Sequence, residues 1–162
     1  MSIRETFLRA RAPAARLAAV LVVVLASSFE SAPAADVERG RYLVLISGCN
    51  DCHTPGYALG EGAVPESEWL TGDVLGWRGP WGTTYPSNLR LFMQPLSEDD
   101  WLTLARNMRP RPPMPWFNLR HMTDDDLRSV YRYVRSLEPL GSPAPAYVPP
   151  EQTPPPPFVQ FP

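Results

Sequence analysis

Residues 47–56 read Ser47-Gly48-Cys49-Asn50-Asp51-Cys52-His53-Thr54-Pro55-Gly56, and they hold both cysteines of the chain. Two thiols two residues apart, with an imidazole directly after the second, have four chemical uses. They can form a redox dithiol, half of a zinc site, a short disulfide, or the attachment point of a covalently bound haem. A structural zinc site wants four protein ligands, and beyond this stretch only His121 remains as a histidine or cysteine. A thioredoxin-like dithiol expects a strand–helix–strand frame, and few strand-like runs surround the motif. A disulfide closing so small a ring is strained and stabilises little. The pattern C-x-x-C-H fits haem attachment, in which each thiol adds to one vinyl group and the histidine ligates the iron.

The surrounding sequence supports that use. Arg4, Arg9, Arg11 and Arg16 open the chain, the apolar run 17–26 follows, and small residues stand at Ala32-Pro33-Ala34-Ala35. This order reads as a secretory signal peptide over residues 1–35. An uncleaved anchor is the alternative, but a membrane span needs about 20 apolar residues. Residues 36–162 carry 11 arginines, no lysine and 15 acidic residues, a net charge of −4 that excludes a strongly basic nucleic-acid surface. The expected destination is an oxidising compartment, where lone thiols seldom persist.

Three stretches carry helical patterns. The first runs from Asp36 to about Ser47, with Gly40 marking either a frayed start or a close helix crossing. The second starts after Ser97, with Glu98, Asp99 and Asp100 in its first turn and Trp101, Leu104, Ala105 and Met108 on one face. The third starts after Thr123, with Leu127, Val130, Tyr131, Val134 and Leu137 on one side and arginines on the other. Between the first two lie residues 54–96, rich in Gly, Pro and aromatics, too long for a structureless loop in a small domain. Three helices offer a thin core, so a large apolar ligand would explain both the loop and its aromatics. Residues 139–162 contain ten prolines. They form either an extended spacer or an arm docked through Tyr147, Phe158, Val159 and Phe161.

A second iron ligand is to be sought among Met93, Met108, Met114, His121 and Met122. Met108 falls on the apolar face of the second helix, Met93 follows Leu91-Phe92 and could equally be core, and His121 and Met122 precede the third helix. Met114 stands between Pro113 and Pro115 in a proline-stiffened strand, which can hold a thioether toward iron with little entropy left to lose. A histidine and a methionine together saturate the iron and suit electron transfer. Arg106, Arg109, Arg111 and Arg120 cluster in sequence around Met114 and form either a docking patch for an acidic partner or a solvated charge cluster.

The residues Gly40-Arg41-Tyr42-Leu43, Cys49 to Thr54, Pro113-Met114-Pro115-Trp116-Phe117 and His121 to Leu127 resemble small secreted class I c-type cytochromes. The likeness is nearest to the haem domains of cytochrome c subunits of bacterial alcohol and sugar-acid dehydrogenases. It spans about residues 36–139, leaving 140–162 as a proline-rich tail. It implies an all-α, cytochrome c-like fold with a long irregular loop around the haem, its first and last helices crossing near Gly40 and Tyr131. It implies one haem c held through Cys49 and Cys52, with His53 and Met114 as iron ligands. By the same likeness Arg78, Trp81, Tyr85 and Asn88 are expected at the haem propionates, and the Pro65 carbonyl at the His53 N–H. The implied role is a periplasmic electron carrier and not an enzyme, working between a dehydrogenase or respiratory donor and an acceptor such as a terminal oxidase. No membrane span would remain once the leader is removed. Such subunits often carry three haem motifs and this chain has one, so their partner does not transfer automatically. A haem sensor or peroxidase with an open sixth position, or a relay subunit of a larger complex, are the other readings.

Overall fold

The computed structural model describes residues 32–162, with side chains from Asp36 onward. The basic opening and the apolar run 17–26 therefore lie outside the described residues. Helix α1 (Ala32–Ile46) takes in the small-residue stretch as its first turn. None of the described helices is long and apolar enough to cross a membrane.

Helices α4 (Glu98–Asn107) and α6 (Asp124–Ser136) form where the caps predict them. Ser97 and Asp100 make a reciprocal capping box, each accepting the other's backbone N–H at 3.1 Å. Thr123 accepts from the Asp126 amide, also at 3.1 Å. Trp101 and Ala105 face Leu127, Val130 and Val134, all buried, and the Trp101 indole donates to the Leu127 carbonyl at 2.9 Å. Each large apolar side chain buried here contributes about 1.5–3 kcal/mol relative to exposure. Two arginines of α6, Arg128 and Arg132, close the outside of the pair onto Glu98.

Helix α1 packs on α6 at Gly40. A Cβ at that position would lie 2.0 Å from the Ser129 carbonyl oxygen and 2.7 Å from the Tyr133 Cβ. The glycine therefore marks a close crossing and not a frayed end. The residues opposite it are Ser129 and Tyr133 rather than the expected Tyr131, whose hydroxyl instead donates to the Leu96 carbonyl at 2.7 Å. Leu43 and Val44 carry α1 into the core, while Tyr42 and Ile46 stay exposed.

Two shorter helices, α3 (Leu89–Phe92) and α5 (Phe117–His121), complete the helical frame together with α2 (Cys49–His53) over the cysteine motif. The long loop is pinned from within. The Trp69 indole donates to the Val64 carbonyl at 2.8 Å, and Tyr57 meets Trp69 edge-on. Buried Arg90 ties the loop down by donating to the carbonyls of Trp69, Glu66, Ser67 and Glu138 at 2.7–3.1 Å. A buried guanidinium is tolerable only because its donors are satisfied.

The all-α expectation needs one correction: a small sheet of three strands is present. Strands β1 (Gly76–Gly79) and β2 (Gly82–Thr84) form an antiparallel hairpin, and β3 (Phe158–Gln160) lies parallel to β1 on its other side. The proline-rich tail is therefore an arm docked on the hairpin. Val148 exchanges both backbone hydrogen bonds with Thr83, at 2.7 and 3.0 Å, and Phe161 donates to the Arg78 carbonyl at 2.7 Å. Proline supplies no N–H, so the tail donates to the hairpin from its short proline-free runs, while the Pro157 carbonyl accepts from the Gly76 amide at 3.0 Å.

Candidate functional site

The cysteine motif is itself a short helix, α2 (Cys49–His53). Gly48, with φ of 69°, turns the chain out of α1 and into it, a conformation that favours glycine. On one helical turn Cys49, Cys52 and His53 stand at i, i+3 and i+4, so all three share a face. The opposite side is anchored. Asn50 is buried and accepts from the Thr54 hydroxyl at 2.8 Å, which in turn accepts from the Leu70 amide at 2.8 Å.

The shared face opens on a mainly apolar cavity of about 580 Å³, within the usual range for cofactor sites. Cys49, Cys52 and His53 all line it. The His53 Nδ1 lies 2.7 Å from the Ser87 carbonyl oxygen. A carbonyl can only accept, so Nδ1 carries the proton and Nε2 keeps its lone pair. Burial pushes the His53 pKa down and the Ser87 bond partly restores it, so the ring is neutral and able to ligate.

Both thiols stay protonated at neutral pH. Burial, then the nearby Asp51 charge, push Cys49 up to about 11, and the same causes raise Cys52. An activated redox dithiol needs the reverse shift. Among the described residues, no group of three or more Cys, His, Asp or Glu could hold a metal ion.

Met114 reaches the cavity from the segment between α4 and α5, accompanied there by Pro113 and Pro115. Met93, Met108 and Met122 line the same cavity, whereas His121 does not. Met93 is fully buried at the end of α3 and Met108 caps α4, so helix packing fixes both. Met114 alone of the four stands outside the helices and their caps, on proline-flanked chain that turns at Pro112-Pro113 rather than running as the expected extended strand.

Of the residues expected at the propionates, only Tyr85 lines the cavity. Arg78 faces the arm, donating to the Gln152 carbonyl at 2.6 Å. Trp81 packs against Phe161 and donates weakly to the Trp77 carbonyl at 3.3 Å. Asn88 caps α3 and donates to the Leu140 and Ser142 carbonyls. Pro65 is also corrected: its carbonyl accepts from the Glu68 amide, and the His53 partner is Ser87. Sequence reasoning missed Trp77, which lines the cavity beside its cross-strand partner Thr84. Reading 76–84 as a hairpin would have found it, since alternation puts Trp77 and Arg78 on opposite faces.

Two residues of the lining carry a buried donor without a partner, the Trp77 Nε1 and the Tyr85 Oη. Orphaned polar groups of this kind are rare and need an explanation. The arginines nearby divide. Arg106 is taken by Asp124 at 2.6 Å and by the Arg120 carbonyl at 2.7 Å, which removes it from the expected docking cluster. Arg109 and Arg120 stack on Trp116, and Arg111 lies 3.8 Å above the Tyr147 ring.

A thiol pair, a neutral imidazole, a thioether and two lining residues with free donors around one apolar cavity in a mainly helical frame are features of the c-type cytochrome class. The chain resembles that class, and in particular the cytochrome c subunit of quinone alcohol dehydrogenase from Gluconacetobacter polyoxogenes and from Komagataeibacter europaeus. It is 32% identical to each over 130 residues, covering 69% of this chain. The chain spans only 27% of the length of these relatives. No protein-family model matches the chain, and no solved structure does.

Proposed function

We propose that the chain is a periplasmic mono-haem c-type cytochrome that passes single electrons between a dehydrogenase and an acceptor. The observation that carries the reading is the common face of Cys49, Cys52 and His53 on the cavity that Met114 also enters. Bound haem c would supply the one-electron chemistry. The two thiols would hold it covalently, so that it cannot be lost in a dilute compartment. The His53 Nε2 lone pair and the Met114 sulfur would ligate the iron, with Ser87 fixing the imidazole's tautomer and orientation. Trp77 and Tyr85 would donate to the carboxylates at the haem edge, satisfying the two donors that the fold leaves free. The apolar wall excludes water. Such ligation favours a raised reduction potential and little movement between oxidation states.

The relatives are cytochrome c subunits of a quinone alcohol dehydrogenase, which supports a carrier or relay role. Arg109, Arg111 and Arg120 have no carboxylate partner among the described residues, which supports docking of an acidic redox partner there. The test of the ligand set is Met114→Ala beside Met93→Ala, Met108→Ala and Met122→Ala, each haem-loaded and examined for the Met–iron charge-transfer band. Loss of the band in Met114→Ala alone is expected; its persistence there sinks the assignment. The mass of the purified chain reports haem attachment independently. Replacing Arg109 and Arg111 by Gln should slow electron transfer with an acidic partner and flatten its salt dependence.

A further inference from the structure

The C-terminal arm does more than cover a sheet edge. Tyr147 lines the cavity together with Pro145, and three contacts fix its position. Its hydroxyl donates to the Trp81 carbonyl at 2.9 Å, on the turn of the β1–β2 hairpin. Its ring carries the Arg111 guanidinium at 3.8 Å. Its neighbour Val148 is bridged to Thr83. Gly82 shows that this seat is built into the fold: a Cβ there would come within 2.6 Å of both the Tyr147 hydroxyl and the Val148 carbonyl oxygen. Only a glycine admits the arm.

Arg111 belongs to the irregular segment that bears Met114, three residues before it. That segment has few other ties to the hairpin side. The Thr84 hydroxyl donates to the Pro112 carbonyl at 2.9 Å, and the prolines at 110, 112, 113 and 115 can donate nothing. Tyr147 thus links two walls of the cavity that the helices do not join. A cation–π contact of this kind is enough to alter how often such a segment opens.

We propose that the arm is a clasp, with Tyr147 a positioning residue that holds the Met114 segment onto the cavity and limits entry of small ligands. The inference rests on the functional reading above for its ligand-entry part alone. The clasp stands on the protein contacts.

The experiment compares wild type, Tyr147→Phe, Tyr147→Ala and Arg111→Gln as haem-loaded full chains. One measurement is hydrogen–deuterium exchange over residues 114–119; the other is the rate at which imidazole binds the ferric protein. Arg111→Gln should raise exchange in that segment about two- to fivefold and Tyr147→Ala at least as much, and both should speed imidazole binding. Tyr147→Phe, which keeps the ring under Arg111, should fall between them and wild type. Unchanged exchange in both Tyr147→Ala and Arg111→Gln overturns the clasp. Should Tyr147→Ala fail to fold, Arg111→Gln, which leaves the arm intact, decides alone. A wild type that binds imidazole as fast as its variants, while the variants still exchange faster, overturns the limit on ligand entry and leaves the clasp on the Met114 segment standing; a missing Met–iron band in the wild type would instead overturn the ligand assignment.

Discussion

The His53 Nδ1 sits 2.7 Å from the carbonyl oxygen of Ser87, a residue 34 positions further along the chain. This single contact determines which nitrogen of the ring is free for a metal. It also joins α2 to the stretch between the hairpin and α3, so the imidazole is oriented by the fold before any ligand arrives.

That contact predicts a slowly exchanging imidazole N–H on Nδ1. Proton–nitrogen NMR of the labelled protein should find the His53 proton on Nδ1, close in space to Ser87 and Asn88. A proton on Nε2 instead would mean that the ring is turned and that Ser87 has no part in the site.

Gly40 yields a second prediction. In an exposed helix, Gly→Ala stabilises by about 1 kcal/mol. Here the added methyl would meet the Ser129 carbonyl oxygen at 2.0 Å, and backbone cannot swing aside as a side chain can. Gly40→Ala should therefore destabilise by about 2–3 kcal/mol, the cost of overpacking. Urea denaturation measures it, and a gain in stability would show that α1 does not cross α6 at this point.

What the sequence made legible follows from which signals are local. Ser97 with Asp100, and Thr123 with Asp126, announce the starts of α4 and α6 because a cap needs only neighbours a turn away. The Cys49–Cys52–His53 spacing is equally local, since one helical turn puts all three on a face. Ser87 could not be found that way: it acts through a carbonyl, and every residue has one. Pro65 was expected there by resemblance, but its carbonyl is spent on the turn at Glu68. The tail stayed open between spacer and docked arm because its strand signal is only a three-residue run, Phe158 to Gln160, which suffices once Trp77 and Trp81 offer Phe161 a seat. Arg78, Trp81 and Asn88 had the right chemistry for a propionate but spend it on Gln152, Trp77 and Leu140, partners chosen by tertiary packing.

Glu98 carries a pH prediction. It accepts from Arg128 at 2.7 Å and from Arg132 at 2.9 and 3.0 Å, while Arg132 also pairs with Asp36 and Arg128 with Asp99. The Arg132 hydrogen bonds hold the carboxyl below its usual range, against the opposing effect of burial. A depressed carboxylate stabilises the fold fully above about pH 4.3, the ordinary glutamate value, and that contribution is lost as the pH falls through the lowered folded value. Glu98→Gln should cost about 1 kcal/mol at pH 7, and the gap from wild type should be smaller at pH 3. Equal gaps at both pH values would show that the loss comes from packing and not from charge.

The two free donors of the lining residues make the sharpest test, because one substitution has opposite expected effects on the empty and the loaded protein. Buried and unpartnered, the Tyr85 hydroxyl and the Trp77 indole N–H cost the fold about 1–3 kcal/mol each in lost hydration. Tyr85→Phe removes one such group with almost no change of shape, so protein prepared without haem should gain about 1 kcal/mol of stability. Once an anionic group accepts from that hydroxyl the same change removes a satisfied, charge-assisted bond, and the loaded protein should lose about 1.5–3 kcal/mol. Trp77→Phe should follow the same pattern less cleanly, since it also removes ring area from the wall. Thermal denaturation of both forms reads the sign directly. If Tyr85→Phe shifted the two forms in the same direction, the hydroxyl would have no ligand to meet, and the haem edge would have to lie elsewhere on the cavity.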